Sequence, residues 1–246
     1  FLSSKFTAPS QAIIVFALIN TFNGMWCVGY SPFAIITTEF SVLYFIIFLK
    51  KNYRLTPIFY TMNMKIKRTN DELKSTRPIL DEVKNIPKIP ISILVENVRS
   101  VHNVGSIFRS ADGFGAEKIY LTGYTAFPPR KDLHKTALGA EDAVPWEYDE
   151  NPIKMARLIK KAGISLVLIE QTHKSKSIYD ILVDFPICFI VGNEVSGVSE
   201  ELSREADCHV ELPMRGVKQS LNVSVAVGVA GYEFSRSYLK KKSITK

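Results

Sequence analysis

Beyond residue 90 the chain alternates between short apolar runs and longer segments of helical spacing. Residues 91–95 are apolar apart from Ser92, and 187–191 are apolar throughout and closed by Gly192. Shorter strand-like stretches lie at 118–121, 165–169 and 208–212. Between them Val104, Ile107, Phe108 and Ala111 recur three or four positions apart, the spacing of one helix face. Residues 152–162 predict a second helix, stopped by Gly163, and 199–206 a third. Strands apolar on both faces need cover on both. The alternation therefore predicts an α/β fold, a parallel sheet flanked by helices. Ahead of it, 65–88 is charged, carries a short helical pattern, and meets Pro87 and Pro90 as breakers.

The segment 223–239 supports two assignments. Val223, Val225, Val227 and Val229 repeat with a period of two, as in a strand. Small residues fill the other face, and 232–239 continues helically. Read as a helix, Leu221, Val225, Val229 and Tyr232 form one stripe, and Val223, Val227, Ala230 and Phe234 a second. A helix apolar on two sides is buried on two sides, so the second stripe suggests a subunit interface.

The first sixty residues follow another pattern. They hold four cations (Lys5, Lys50, Lys51, Arg54), one acid (Glu39), and many Phe, Ile and Tyr. Residues 33–49 are mostly apolar and are followed by Lys50 and Lys51. A membrane-spanning helix needs about twenty apolar residues, and Glu39 would lie in mid-membrane at a cost of several kcal/mol. The first residue is Phe, whereas Met62 and Met64 stand just before the charged segment. Residues 1–61 are therefore expected to be a hydrophobic extension outside the functional protein. A membrane anchor or a degenerate targeting segment are the alternatives. The remainder divides into a charged lead-in at 62–90, a domain at 91–239 and a basic tail at 240–246.

The net charge of +7 splits as +3 for residues 1–60 and +4 for the rest. So mild a positive charge permits nucleic-acid binding without demanding it. Cys27, Cys188 and Cys208 are odd in number and widely spaced, so neither a disulfide framework nor a metal site is expected, and a cytoplasmic setting is favoured. His102, His134, His173 and His209 form no ligand spacing either. Gly105, Gly113 and Gly115 do not make the dinucleotide fingerprint, which argues against a nicotinamide enzyme.

Three segments carry the chemistry. The first, 96–115, contains Asn103 and Arg109. The second, IVGNEVSGVSEEL at 190–202, contains Gly192 and Glu194 at the end of a buried strand. The third, LPMRGVKQSLN at 212–222, leaves a strand through Pro213 and a glycine loop and places Ser220, Leu221 and Asn222 before a small-residue apolar segment. In this order and spacing they closely resemble the three motifs of the SpoU (TrmH-like) branch of the SPOUT RNA methyltransferases. The resemblance runs from about residue 65 to 234 and includes TALGAEDAVPWEY at 136–148.

The resemblance implies the following. The 223–239 segment is a helix, and the C-terminal portion is threaded into a trefoil knot whose loops hold S-adenosylmethionine. The enzymes are typically homodimers that methylate a ribose 2′-hydroxyl in tRNA or rRNA. Asn103, Arg109, Glu194, Ser220 and Asn222 fall at catalytic positions. Gly192, Leu212 and Leu221 fall at donor-binding positions, with Ile190, Met214, Ile169 and Gln171 bordering the same pocket. A guanidinium stays cationic and is a poor base, so clamping an RNA phosphate is the safer role for Arg109; the family proposal that it accepts the 2′-hydroxyl proton stays open. Glu194 is expected to organise its loop or to orient Arg109. Asn103, Ser220 and Asn222 could instead cap helices. Arg215 and Lys218 share the loop of Ser220 and are the cations best placed to meet RNA. The rival readings are a SPOUT-fold RNA-binding protein without turnover, and a membrane-tethered protein in which residues 1–60 are a real anchor. Retention of all five catalytic-position residues weighs against the first.

Overall fold

The computed structural model describes residues 20–22, 25–30, 33–37, 67–83 and 85–244. The chain divides into two compact units, Phe1–Arg77 and Pro78–Lys246. The division falls inside the charged lead-in. In the first unit β1 (Asn20–Phe22), β2 (Met25–Tyr30) and β3 (Phe33–Thr37) form an antiparallel sheet. The start of the apolar run at 33–49 is thus a strand, and 38–49 lies outside the described residues. Helix α1 (Asn70–Ser75) opens on a capping box in which Thr69 and Glu72 satisfy each other's main-chain N–H. No helix among the described residues is long and apolar enough to cross a membrane.

The second unit begins with α2 (Leu80–Val83), β4 (Ile89–Glu96), α3 (Val101–Phe114) and β5 (Ala116–Thr122). It continues through α4 (Lys131–Ala137), α5 (Ala140–Ala143), β6 (Trp146–Asp149) and α6 (Pro152–Lys161). After β7 (Ser165–Ile169), β8 (Lys176–Ser177) and β9 (Ile187–Val191) come α7 (Glu200–Glu205), β10 (Cys208–Glu211) and α8 (Val223–Ile244). The sheet order is β6-β5-β4-β9-β7-β10-β8, and every pairing is parallel.

The periodicities explain the layers. Ile91, Ile93 and Val95 of β4 face a core shared with α3 and α8, while Leu94 faces a second core with α6 and α7. The stripe Val104, Ile107, Phe108 and Ala111 of α3 is fully buried against the first face. Burying each large side chain there contributes about 1.5–3 kcal/mol. Helix α3 starts on Ser100, whose hydroxyl accepts from Asn103 N–H, and stops at Gly115 in the left-handed region, φ 76°.

Three expectations are corrected, and two stretches for which no element was expected are filled. Pro90 does not precede β4 but sits in its second position, where the register with β5 shifts between Ile89 and Ser92; that irregularity accommodates a residue without an N–H. Residues 131–149, which carry no clear period, hold α4, α5 and β6, and β8 is a two-residue edge strand. The basic tail is mostly not a tail, because α8 runs on to Ile244.

The third correction concerns α8. It is a helix, but its two stripes exchange roles. Val223, Val227, Ala230 and Phe234 are buried in the chain's own core, with the Phe234 ring 5.8 Å from that of Phe189. Gly231 lets Phe114 approach where a Cβ would collide with its ring. The exposed stripe is the other one: Val225, Val229 and Tyr232 are 50%, 41% and 59% exposed.

Candidate active site

In a parallel sheet all carboxyl ends open on one edge, and ligands bind there where the chain's winding reverses. Here the chain steps outward from β4 to β6 and returns on the far side of β4 with β7, β9 and β10. The three motif segments leave the sheet at that edge, after β4, β9 and β10.

The loop after β9 is closely built. A Cβ on Gly192 would collide with the backbone of Gly197 and Val198. Asn193 and Gly197 exchange main-chain bonds, both 3.0 Å, and Gly197 takes φ 69°. The Asn193 side chain accepts from Val195 and Ser196 N–H and donates to Asn97 O (2.9 Å) and the Tyr124 hydroxyl (2.7 Å). Gly192 is thus required first by its own loop.

Glu194, held by this loop, reaches the N-terminus of α3. Its carboxylate accepts from Arg99 N–H (3.0 Å), Ser100 N–H (3.1 Å) and Asn103 Nδ2 (2.8 Å). Partial burial opposes its ionisation, but the bonds from Arg99, Asn103 and Ser100 outweigh that, and the carboxyl is held below its ordinary value. The helix dipole favours the same charge. Asn103 Oδ1 in turn accepts from Asn222 Nδ2 at 3.1 Å. Asn222 Oδ1 takes Ser224 N–H (2.9 Å) and hydroxyl (2.7 Å), so Asn222 also caps α8. One residue from each motif, far apart in sequence, meets in one chain of bonds.

The other two expected catalytic residues are not in it. Arg109 lies six residues beyond Asn103, ~9 Å along α3 and on another side of it. It is exposed and lines a groove of about 440 Å³ with Ser106, Ser110, Lys135, Thr136 and Tyr232. Glu194 does not orient it; the acid's partners are those just named. Among the described residues neither Arg109 nor Ser220 makes a side-chain hydrogen bond or ion pair, and the same holds for Arg215 and Lys218 in the exposed loop of Ser220.

The expected donor loops converge. Glu170 Oε2 accepts from Val198 N–H (3.3 Å), and Gln171 Nε2 donates to Gln219 O (2.6 Å). Two adjacent residues after β7 therefore hold the loops after β9 and β10 together. Ile169 and Leu212 pack partly buried against the first core. Ile190 is fully buried in the second core, so its side chain has no free surface to offer. Met214 is partly exposed and Leu221 exposed. Among the described residues, main-chain N–H groups from 214 to 221 have no main-chain partner. Unpaired amides beside Ile169 and Leu212 fit an adenosyl group, which presents a flat ring and several acceptors. No cluster of His, Cys, Asp or Glu suited to a metal occurs among the described residues.

Sequence reasoning missed Asn193, Glu170 and Glu96. Glu96, buried at the end of β4, accepts from Ser199 N–H (2.7 Å) and hydroxyl (2.6 Å) and so anchors α7. Asn193, between Gly192 and Glu194, had its position as a signal.

Fold and site together define a parallel α/β protein whose three motif loops gather at the carboxyl edge of the sheet. Residues 90–232 match the model of the SpoU rRNA Methylase family, and the chain belongs to that family. A curated relative, the tRNA (guanosine(18)-2′-O)-methyltransferase of Aquifex aeolicus, is 31% identical over 170 residues, covering 69% of this chain and 78% of its own. The crystal structure of the A. aeolicus TrmH/SpoU tRNA modifying enzyme superposes with TM-score 0.60 at 28% identity, over 68% of this chain and 86% of that one. The AdoMet-bound rRNA methyltransferase of Sinorhizobium meliloti gives TM-score 0.57 at 28% identity, over 63% and 59%.

Proposed function

We propose that this chain is an S-adenosylmethionine-dependent RNA methyltransferase that acts on a ribose 2′-hydroxyl in tRNA or rRNA. The observation that carries the reading is the bond chain Glu194–Asn103–Asn222, which joins all three motifs at the sheet's carboxyl edge. Bound S-adenosylmethionine supplies a sulfonium methyl group. The loops after β7, β9 and β10 hold it through main-chain groups at Gly192, Leu212, Met214 and Leu221, with Ile169 and Gln171 at the border. The acceptor oxygen would take the methyl group as the carbon–sulfur bond of the sulfonium broke, the donor leaving as a neutral thioether and the hydroxyl proton passing to water. Arg109, free of internal partners, clamps a phosphate beside that ribose; Arg215 and Lys218 meet neighbouring phosphates. Ser220, equally free, faces the acceptor.

The same reading includes the knot, which the family resemblance implies. It includes a homodimer across the exposed stripe of α8. Tyr232 belongs both to that stripe and to the Arg109 groove, so a second copy there would bring other groups to Arg109. The methyltransferase domain is 91–239, the lead-in 62–90 and the extension 1–61. The free thiols Cys188 and Cys208 accord with a cytoplasmic setting.

The test is transfer of labelled methyl from S-adenosylmethionine to tRNA or rRNA by the full chain. Mass-spectrometric mapping of ribose methylation in cells with and without the gene accompanies it. A site lost with the gene is expected. Donor binding and RNA binding without transfer would favour the inactive RNA-binding protein instead.

A further inference from the structure

The segment after β5 builds a second feature at the same edge of the sheet. Residues Gly123 to Arg130, with Tyr148 of β6, line a groove of about 350 Å³. Its walls are aromatic and its lining holds no acid. The Phe127 ring lies 4.2 Å from that of Tyr148 at 32° and 6.2 Å from that of Trp146 at 31°. Such rings are ordinarily buried, yet Tyr124 is 63% and Phe127 41% exposed.

These rings are held in place by polar bonds at their margins. The Tyr148 hydroxyl donates to Gly123 O (2.7 Å), and Tyr124 N–H donates to Asn97 Oδ1 (3.1 Å). Gly123 takes φ 64°, and a Cβ there would collide with the Asn97 side chain. Thr125, buried beneath, accepts from Val98 N–H (3.1 Å) and donates to Val95 O (3.3 Å). The Tyr124 hydroxyl accepts from Asn193, the neighbour of Glu194. The aromatic groove is thus fixed to the segments that carry the site. Arg130 at its rim is satisfied by Asp132 through two bonds, so it adds little attraction of its own for a phosphate.

We infer that this groove is a stacking site for an unpaired nucleobase of the RNA substrate, a neighbour of the nucleotide that receives the methyl group. The inference rests on the proposed RNA ribose methylation and deepens it. Single-stranded RNA presents splayed bases, and aromatic rings bind them by their faces with little regard to sequence. A rigid, acid-free aromatic wall beside a methyl-transfer site matches that chemistry. It also implies that the methylated position lies in a loop or an unpaired stretch, because a base inside a duplex cannot reach the groove.

The test uses the full chain with Phe127→Ala, Tyr124→Ala and Phe127→Tyr. The KM for RNA is expected to rise roughly fivefold to a hundredfold in the alanine variants, the range for loss of one stacked base. In Phe127→Ala, whose ring has no bond to the loop after β9, the affinity for S-adenosylmethionine should stay at the parent value, and Phe127→Tyr should restore KM. A short unstructured oligoribonucleotide should bind the parent more tightly than the same chain made abasic, and the alanine variants should lose that difference. Unchanged KM in folded alanine variants, or equal binding of the abasic probe by the parent, would overturn the inference while leaving ribose methylation standing. A parent that transfers no methyl group to RNA would remove the functional reading itself, and this inference with it.

Discussion

Two sides of helix α3 teach opposite lessons. At its N-terminus, Asn103 is bonded to Glu194 and Asn222, and the main-chain N–H groups of Arg99 and Ser100 are satisfied as well. Along its far side Arg109 stands exposed in a groove. The first arrangement is complete within one chain and is therefore a framework, holding three segments in register. The second is incomplete, and a long cation left without a partner at a motif position is available to a substrate or a second copy. Of the five residues expected to be catalytic, Glu194, Asn103 and Asn222 are joined in one chain of bonds, and among the described residues Arg109 and Ser220 make no side-chain bond.

The comparison can be broken most sharply at Arg109. Arg109→Ala is expected to lower methyl transfer about a hundredfold or more, as loss of positioning at a reacting group does. Arg109→Lys should rescue little, because a point charge cannot replace the planar fork. Donor affinity, measured by calorimetric titration, should not change. Full activity in the alanine variant would return Arg109 to an ordinary surface charge.

Gly192→Val attacks the framework. The new side chain meets the backbone of Gly197 and Val198, so the loop must shift, at a cost near or above 3 kcal/mol, the upper range for overpacking. Calorimetry should find donor binding lost together with a lower melting temperature. A variant with parental stability and parental donor affinity would contradict the tight loop.

Glu194→Gln is a milder cut, of about 1 kcal/mol at neutral pH for mispaired donors. Its sign with pH is specific. The carboxyl is held below its ordinary value in the folded state, so its contribution is present above the unfolded value and is lost as pH falls through the folded one. The gap in melting temperature between parent and variant should narrow from pH 6 to about pH 3. A gap constant with pH would detach the carboxylate from the stability of the loop.

Lys218→Ala should have the smallest effect. It should weaken RNA binding nearly uniformly across sequences and lower the salt dependence of affinity by about one unit. Donor binding should be untouched.

The sheet and its helices were legible because their periods are strong. The run at 187–191, short and closed by Gly192, reads as a buried strand, and the α3 stripe as one helix face. The motif residues were legible as a set, but their division of labour was not. Nothing in the spacing of Asn103 and Arg109 says that six residues of helix turn the two side chains to different surfaces. The α8 stripes show the same limit. Both are apolar, so which one meets the chain's own core depends on Phe114 and Phe189, residues more than thirty positions away. Segment 131–149 was illegible for another reason: α4 and α5 are short and lean on α3, and β6 is a four-residue edge strand on β5, so no period had room to repeat.

The placement of β9 carries a consequence for how the protein is made. This strand lies between β4 and β7, so the middle of the sheet is closed by a segment that is synthesised late. Glu96, at the end of β4, waits for Ser199, 103 residues downstream. Until then β4 exposes one unpaired edge, and its two faces are only partly covered, one awaiting α8 and the other α7, which is a sticky intermediate. Contacts this distant in sequence slow folding, since a long loop must close before any reward arrives. The nascent chain should therefore depend on chaperone protection from the emergence of β4 until β9 and α7 have left the ribosome.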